Sequence, residues 1–141
     1  MKRFEESVSE TFSLKKWRLT SGTRNICRVL ESTKKPLSAK EISEGLDQIE
    51  RSVDMTTIYR ILDRFVSVGL VHLLDGKFIR CSDPGNAHEE HHFLVCRECA
   101  SAEEIFLDYR DSISGQLRKE KGFTLEEVEL SFHGLCKGCK H

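Results

Sequence analysis

Apolar positions in the first half of the chain recur at helical spacing and then switch to alternation. Ile26, Val29 and Leu30, with Arg24 before them, predict a helix that Thr20 or Ser21 can cap and that Pro36 closes. Ser38-Ala39-Lys40-Glu41 has the form of a capping box, in which the serine hydroxyl accepts from the N3 amide and the glutamate reaches back. The helix it opens should bury Ala39, Ile42 and Leu46. A third helix, capped by Ser52 or Asp54 and ended by Gly69, carries Ile58, Ile61, Leu62, Phe65 and Val66 at i, i+3, i+4, i+7 and i+8. Val71 to Cys81 then predicts a hairpin about Asp75-Gly76. Helix, capped helix, amphipathic helix and hairpin, in that order, make a winged helix-turn-helix.

Ser82 to Ala87 (SDPGNA) has the composition of a linker. Beyond it the pattern predicts a strand through Phe93-Leu94-Val95, a short strand near Ile105-Phe106-Leu107, and a helix through Ile113 and Leu117 that stops at Gly122. Val128, Leu130 and Phe132 alternate with Glu127, Glu129, Ser131 and His133, which predicts a strand with one buried face. The expected fold class is therefore α+β. An N-terminal winged helix-turn-helix DNA-binding domain (1–82) precedes a small α/β dimerisation and metal-binding domain (83–141). A sheet of that size needs a second copy to bury enough apolar surface, so a homodimer is expected.

Composition adjusts this picture in three ways. Among 141 residues, 38% are hydrophobic and 32% charged, which suits small cores in a soluble chain. No apolar run approaches the roughly 20 residues that cross a bilayer, and MKRFEESVSETF lacks the apolar stretch of a secretory signal, so a cytoplasmic location with no membrane partner is expected. The net charge of −1 hides an asymmetry. Up to Ser82 there are 15 Lys and Arg against 11 Asp and Glu, a balance of +4; beyond it there are 7 against 12, a balance of −5. A mildly basic half joined to an acidic, ligand-rich half suggests a division of labour.

The third helix presents Thr56, Thr57, Tyr59, Arg60 and Arg64 on its non-core side. Second helices of helix-turn-helix units put N-terminal residues into the major groove, where arginine can pair with guanine and short hydroxyls can reach phosphates. Alone, such residues are more often an ordinary solvated face; the winged context favours double-stranded DNA as partner.

Six cysteines in a reducing compartment call for metal or redox chemistry before disulfides. Cys96-x-x-Cys99 and Cys136-x-x-Cys139 each turn two thiolates toward one cation, and together they supply a closed tetrahedral zinc site. Two local disulfides or a redox couple are the competing readings. A two-residue hairpin turn would face His72 with Ile79 and Leu70 with Cys81, so His72 and Cys81 become diagonal neighbours ~7–8 Å apart at most. His88, His91, His92, Glu103 and Glu104 lie beyond the linker. A metal taking His72 and Cys81 from the first domain and His and Glu from the second would lock the angle between them. Cys27 reads as packing. His88-Glu89-Glu90-His91-His92 also matches H-E-x-x-H, which on a helix makes a zinc hydrolase. Pro84-Gly85-Asn86 before it and Phe93-Leu94-Val95 after it leave no room for that helix. A metal buffer would need the ligands but not the DNA helix.

These features resemble the ferric uptake regulator family over nearly the whole chain. RLTSGTR (18–24) is similar to its first-helix motif R-L-T-P-x-R, one residue longer and without the proline. TTIYRILDRFVSVGLV (56–71) matches its recognition helix, HHFLVCREC (91–99) its histidine run into C-x-x-C, and GLCKGC (134–139) its closing knuckle. The resemblance implies a metal-loaded dimer that represses from palindromic operators, with no small organic substrate and no enzymatic activity. It implies structural zinc on Cys96, Cys99, Cys136 and Cys139. A second, regulatory divalent metal would fall to His72, Cys81, His88, His91 and Glu104, with His88 and His91 as alternatives for one position. Thiolate at Cys81 resembles the zinc-uptake branch and favours zinc; iron, manganese or peroxide sensing is the alternative. Some members have a further, weaker regulatory site that wants a ligand near position 128; Val128 implies that it is absent or rebuilt here. Ala100 stands where a glycine commonly follows the second cysteine.

Overall fold

In the computed structural model, which describes residues 3–49, 52–84, 91–126, 128 and 130–140, the helices begin where short polar side chains can replace missing backbone partners. Thr20 accepts from the Thr23 amide at 3.1 Å and opens α2 (Ser21–Glu31). Both halves of the Ser38 capping box form, Glu41 N–H to Ser38 Oγ and Ser38 N–H to Glu41 Oε1 at 3.1 Å each, ahead of α3 (Ala39–Gln48). Asp54, not Ser52, caps α4 (Met55–Ser67), accepting from the Thr57 amide at 2.8 Å. A helix absent from the sequence expectation precedes them. α1 (Phe4–Lys15) is only weakly amphipathic, yet Phe4, Val8 and Phe12 sit one turn apart and are buried. Phe4 and Phe12 pack against Phe65 of α4 at ring distances of 6.1 and 5.7 Å. Glu31 accepts from the Glu5 amide at 3.0 Å, so the far end of α2 satisfies an N-terminal amide of α1.

The hairpin is β1 (Val71–Leu74) with β2 (Lys77–Arg80), in the expected register of His72 with Ile79. Asp75 and Gly76 both have positive φ, 51° and 78°, as a two-residue turn matching strand twist requires. Leu37 bridges to Phe78 through two backbone bonds of 2.9 and 2.7 Å, tying the segment between α2 and α3 to the wing. The core of this unit draws on all four helices and both strands, with Ile26, Ile42, Leu46, Ile58, Leu62 and Phe65 fully enclosed. Val66, expected inside, is instead over one-third exposed. A helix stripe narrower than the sequence repeat meets the core.

At Gly45, α3 lies close against Val29 of α2. A Cβ there would lie 2.9 Å from one methyl of Val29 and 3.3 Å from the other. Helix propensity favours alanine over glycine by ~1 kcal/mol, but forcing a methyl into packed structure costs ~1–3 kcal/mol. Valine has one preferred helical rotamer and little room to turn. Gly45→Ala is therefore expected to lower the urea midpoint of unfolding, and pairing it with Val29→Ala to recover part of the loss.

The chain divides into two compact units, Met1–Asn86 and Ala87–His141. In the second, β3 (His92–Cys96) is central, antiparallel to β4 (Ala102–Ile105) and parallel to β5 (Ser131–Gly134). The second strand thus lies before Phe106 and Leu107, which are exposed. Of the expected alternating strand, Glu127 and Glu129 lie outside the described residues; β5 begins at Ser131, and Phe132 is 42% exposed rather than buried. α5 (Arg110–Lys121) ends at Gly122 and buries no residue within the single chain. Among the described residues of this unit only Phe93, Cys96 and Ala102 are buried apolar side chains. So thin a core leaves the unit dependent on other interactions.

Candidate metal centres and nucleic-acid interface

The β3–β4 turn carries the first cysteine knuckle. Cys96 N–H donates to Ser101 O and Ala100 N–H to Cys96 O, both at 2.9 Å, and this closure folds Cys99 back beside Cys96. Ala100 pays for the turn with a φ of 62°, a conformation costing an L-residue ~1–2 kcal/mol. The second knuckle closes through Cys139 N–H to Cys136 O at 3.0 Å. Parallel pairing of β5 with β3 sets Gly134 beside Cys96, and the Arg97 amide donates to Gly134 O. The two knuckles therefore meet: all four sulfurs lie within 4.8 Å of one another. Cys99 and Cys136 sulfurs are 3.9 Å apart.

The electrostatics of this quartet suit a dication. Amide N–H groups of Cys99 and Cys136 turned toward its sulfur lower the Cys96 thiol to about 6. Ser101 Oγ, 3.0 Å from Cys99 Sγ, helps to hold that thiol below its usual value. Cys139, sharing its proton with Cys136, is pushed up to about 12. Such crowding resists four thiolates at once, and a bound cation removes the resistance. A cation held by all four sulfurs would have no open coordination position, and such a centre would stabilise rather than catalyse.

The remaining candidate ligands fall into two pairs, one in each unit. In the first, the hairpin register puts His72 diagonal to Cys81, whose N–H donates to Leu70 O at 2.8 Å. Their donor atoms lie within 4.8 Å of each other, and Cys81 is 3% exposed. In the second, His91 precedes β3 and Glu104 lies on β4 opposite Phe93. His91 Nδ1 and Glu104 Oε2 are 2.7 Å apart, with the Glu104 side chain only 3% exposed. His88, Glu89 and Glu90 lie outside the described residues. His92 faces the other way from His91 and is fully buried, and Glu103 is exposed. Val128 offers no donor. Cys27 is fully enclosed and its thiol is raised to about 12 by burial, as a packing residue requires.

Of the five residues expected to face DNA, three are exposed and two are engaged by neighbouring side chains. Thr56, Tyr59 and Arg60 are exposed on α4. Thr57 spends its hydroxyl on Asp54 Oδ2 at 2.9 Å, reinforcing the cap. Arg64 stacks its guanidinium 5.2 Å above the Trp17 ring, which in turn packs edge-on against Phe12. The roles of Ser101 and Trp17 escaped the sequence pattern; only the serine, two residues after Cys99, left a local signal. No described helix is long and apolar enough to cross a membrane.

Comparison with known proteins gives one consistent set of likenesses. The family model described as the Ferric uptake regulator family matches residues 15–133. A ferric uptake regulation protein of Cupriavidus metallidurans is 30% identical over 115 residues, 78% of each chain. The crystal structure of holo XcZur is 33% identical, covers 96% of both chains and superposes with a TM-score of 0.75. A zinc uptake regulator complexed with zinc and DNA reaches a TM-score of 0.81 over 99% of this chain and 96% of its own, at 22% identity.

Proposed function

The chain belongs to the ferric uptake regulator family, and from that membership we propose that it is a zinc-responsive repressor acting on palindromic operators as a metal-loaded homodimer in the cytoplasm. Members of this family are metal-responsive DNA-binding regulators, and the chain is accordingly such a regulator and not an enzyme. The single observation that carries the choice of zinc is Cys81, a buried thiol whose sulfur shares a small volume with a nitrogen of His72. Thiolate with imidazole selects zinc over the harder Mn²⁺ and Fe²⁺. His72 with Cys81 supplies two donors and His91 with Glu104 two more, the number a tetrahedral ion takes. A metal shared by both pairs would couple its binding to the angle between DNA-reading and dimerisation units. The Cys96, Cys99, Cys136 and Cys139 centre is proposed to hold structural zinc.

The test is fluorescence anisotropy of a palindromic, AT-rich operator at buffered free Zn²⁺, Mn²⁺ and Fe²⁺. Tight binding confined to zinc supports the proposal. A preference for iron or manganese would favour the alternative, to which the likeness to the C. metallidurans regulator lends weight. On the DNA side, Arg60→Ala is expected to weaken operator binding by ~1–3 kcal/mol if the guanidinium reads a base, or to lower the salt slope by about one if it contacts phosphate. Unchanged affinity and slope would remove Arg60 from the interface.

A further inference from the structure

The segment between β4 and α5 grips both histidines at the start of β3, one on each face of the sheet. Phe106 stands edge-on to His91 at a ring distance of 5.5 Å. Tyr109, on the opposite face, packs its ring at a tilt of 42° against His92 at 5.3 Å and brings its phenol oxygen to 2.9 Å from His92 Nε2. His92 is the one fully buried polar residue of the unit among those described, and it pairs across β3–β4 with Ile105, next to Glu104. His91 and Glu104 are thus the chain neighbours of a cross-strand pair whose buried imidazole lies against the Tyr109 hydroxyl.

We propose that Tyr109 is a positioning residue for the regulatory metal, holding His92 so that β3 and β4 present His91 and Glu104 at ligand spacing. The inference rests on the assignment of His91 and Glu104 as ligands. Its physical basis is that a metal site gains affinity when its ligands are held before the ion arrives, and the groups holding them carry part of that affinity. Tyr109 also stands at the N-terminal boundary of α5, which buries nothing of its own. The same contact thus anchors that helix to the sheet.

The experiment uses the full chain with its cysteine centre filled, titrated with zinc against a chromophoric chelator and, separately, with Co²⁺ while its d–d absorption is recorded. Tyr109→Phe keeps the ring and removes only the hydroxyl. The expected result is a second zinc bound ~10–100-fold more weakly, an altered Co²⁺ band, and an unchanged first zinc, helical circular dichroism and melting temperature of the one-zinc form. A second site equal in affinity and spectrum to that of the unaltered chain overturns the inference. So does joint loss of both zincs and of helicity, which would make Tyr109 a general support. Absence of any second zinc in the unaltered chain would instead remove the regulatory site itself, and this role with it.

Discussion

Cys81→Ala is expected to abolish zinc-dependent operator binding while the dimer and one zinc per chain survive. The substitution removes the only sulfur from the proposed regulatory set and leaves His72 alone in its unit. Even outer-shell changes at metal sites cost ~10–100-fold in affinity, so loss of a direct ligand should exceed 100-fold at fixed free zinc. The fold should tolerate it, since alanine trades a small buried thiol for a methyl and the backbone bond from residue 81 to Leu70 O is kept. A ligand can bias two arrangements only by binding one of them better; without Cys81 that difference vanishes and DNA affinity becomes insensitive to zinc. Operator anisotropy across buffered zinc, with metal content by atomic emission, checks both halves. Full zinc response in the variant would sink the assignment of Cys81.

Cys96→Ser should be more destructive and in a different place. Cys96 is buried at the end of β3 and receives the Cys136 amide at 3.4 Å, so it belongs to both knuckles. The unit around it has few buried apolar residues, and a structural zinc contributes apparent folding free energies of ~10–16 kcal/mol in small zinc domains. Losing that centre should unfold the second unit, dissociate the dimer and with it remove operator binding at every zinc concentration. Gel filtration and zinc content measure it; a dimeric variant with its zinc intact would refute the structural role. Acid should act in the same direction. The Cys139 thiol, raised to about 12 by Cys136, must surrender its proton to bind, and metal retention therefore weakens as pH falls.

The two substitutions also separate two chemistries that look alike in composition. Six cysteines are present, but only their spacing and surroundings distinguish a closed quartet from a lone thiol beside an imidazole. The second arrangement offers only two donors and needs further ligands to complete a tetrahedral set.

Much of the first unit was legible in the amino-acid order because the interactions that shape it are local. Thr20, Ser38 and Asp54 bond to amides three residues on, and Asp75-Gly76 meets the φ demands of its turn within two residues. The hairpin register then followed by counting, and with it the nearness of His72 to Cys81. The paired C-x-x-C spacing likewise pointed to one tetrahedral centre. α1 was not legible, since its weak amphipathic pattern gains meaning only from Phe65, more than fifty residues away. Nor was the work of Arg64 and Thr57, whose side chains are committed to Trp17 and Asp54 and so are not simply available to a groove.

What the chain order determined by itself was the set of elements, the donor types and the partners within a few residues of one another. Tertiary structure alone decided that β5 runs parallel beside β3, bringing the two knuckles together across 37 residues, from Cys99 to Cys136. It also decided that Glu104 reaches His91, and that Tyr109 reaches His92 from the opposite face. The physical reason is common to all three. Local pattern fixes which face of a strand a side chain occupies, whereas the pairing of distant strands depends on burial and backbone hydrogen bonding summed over the whole unit.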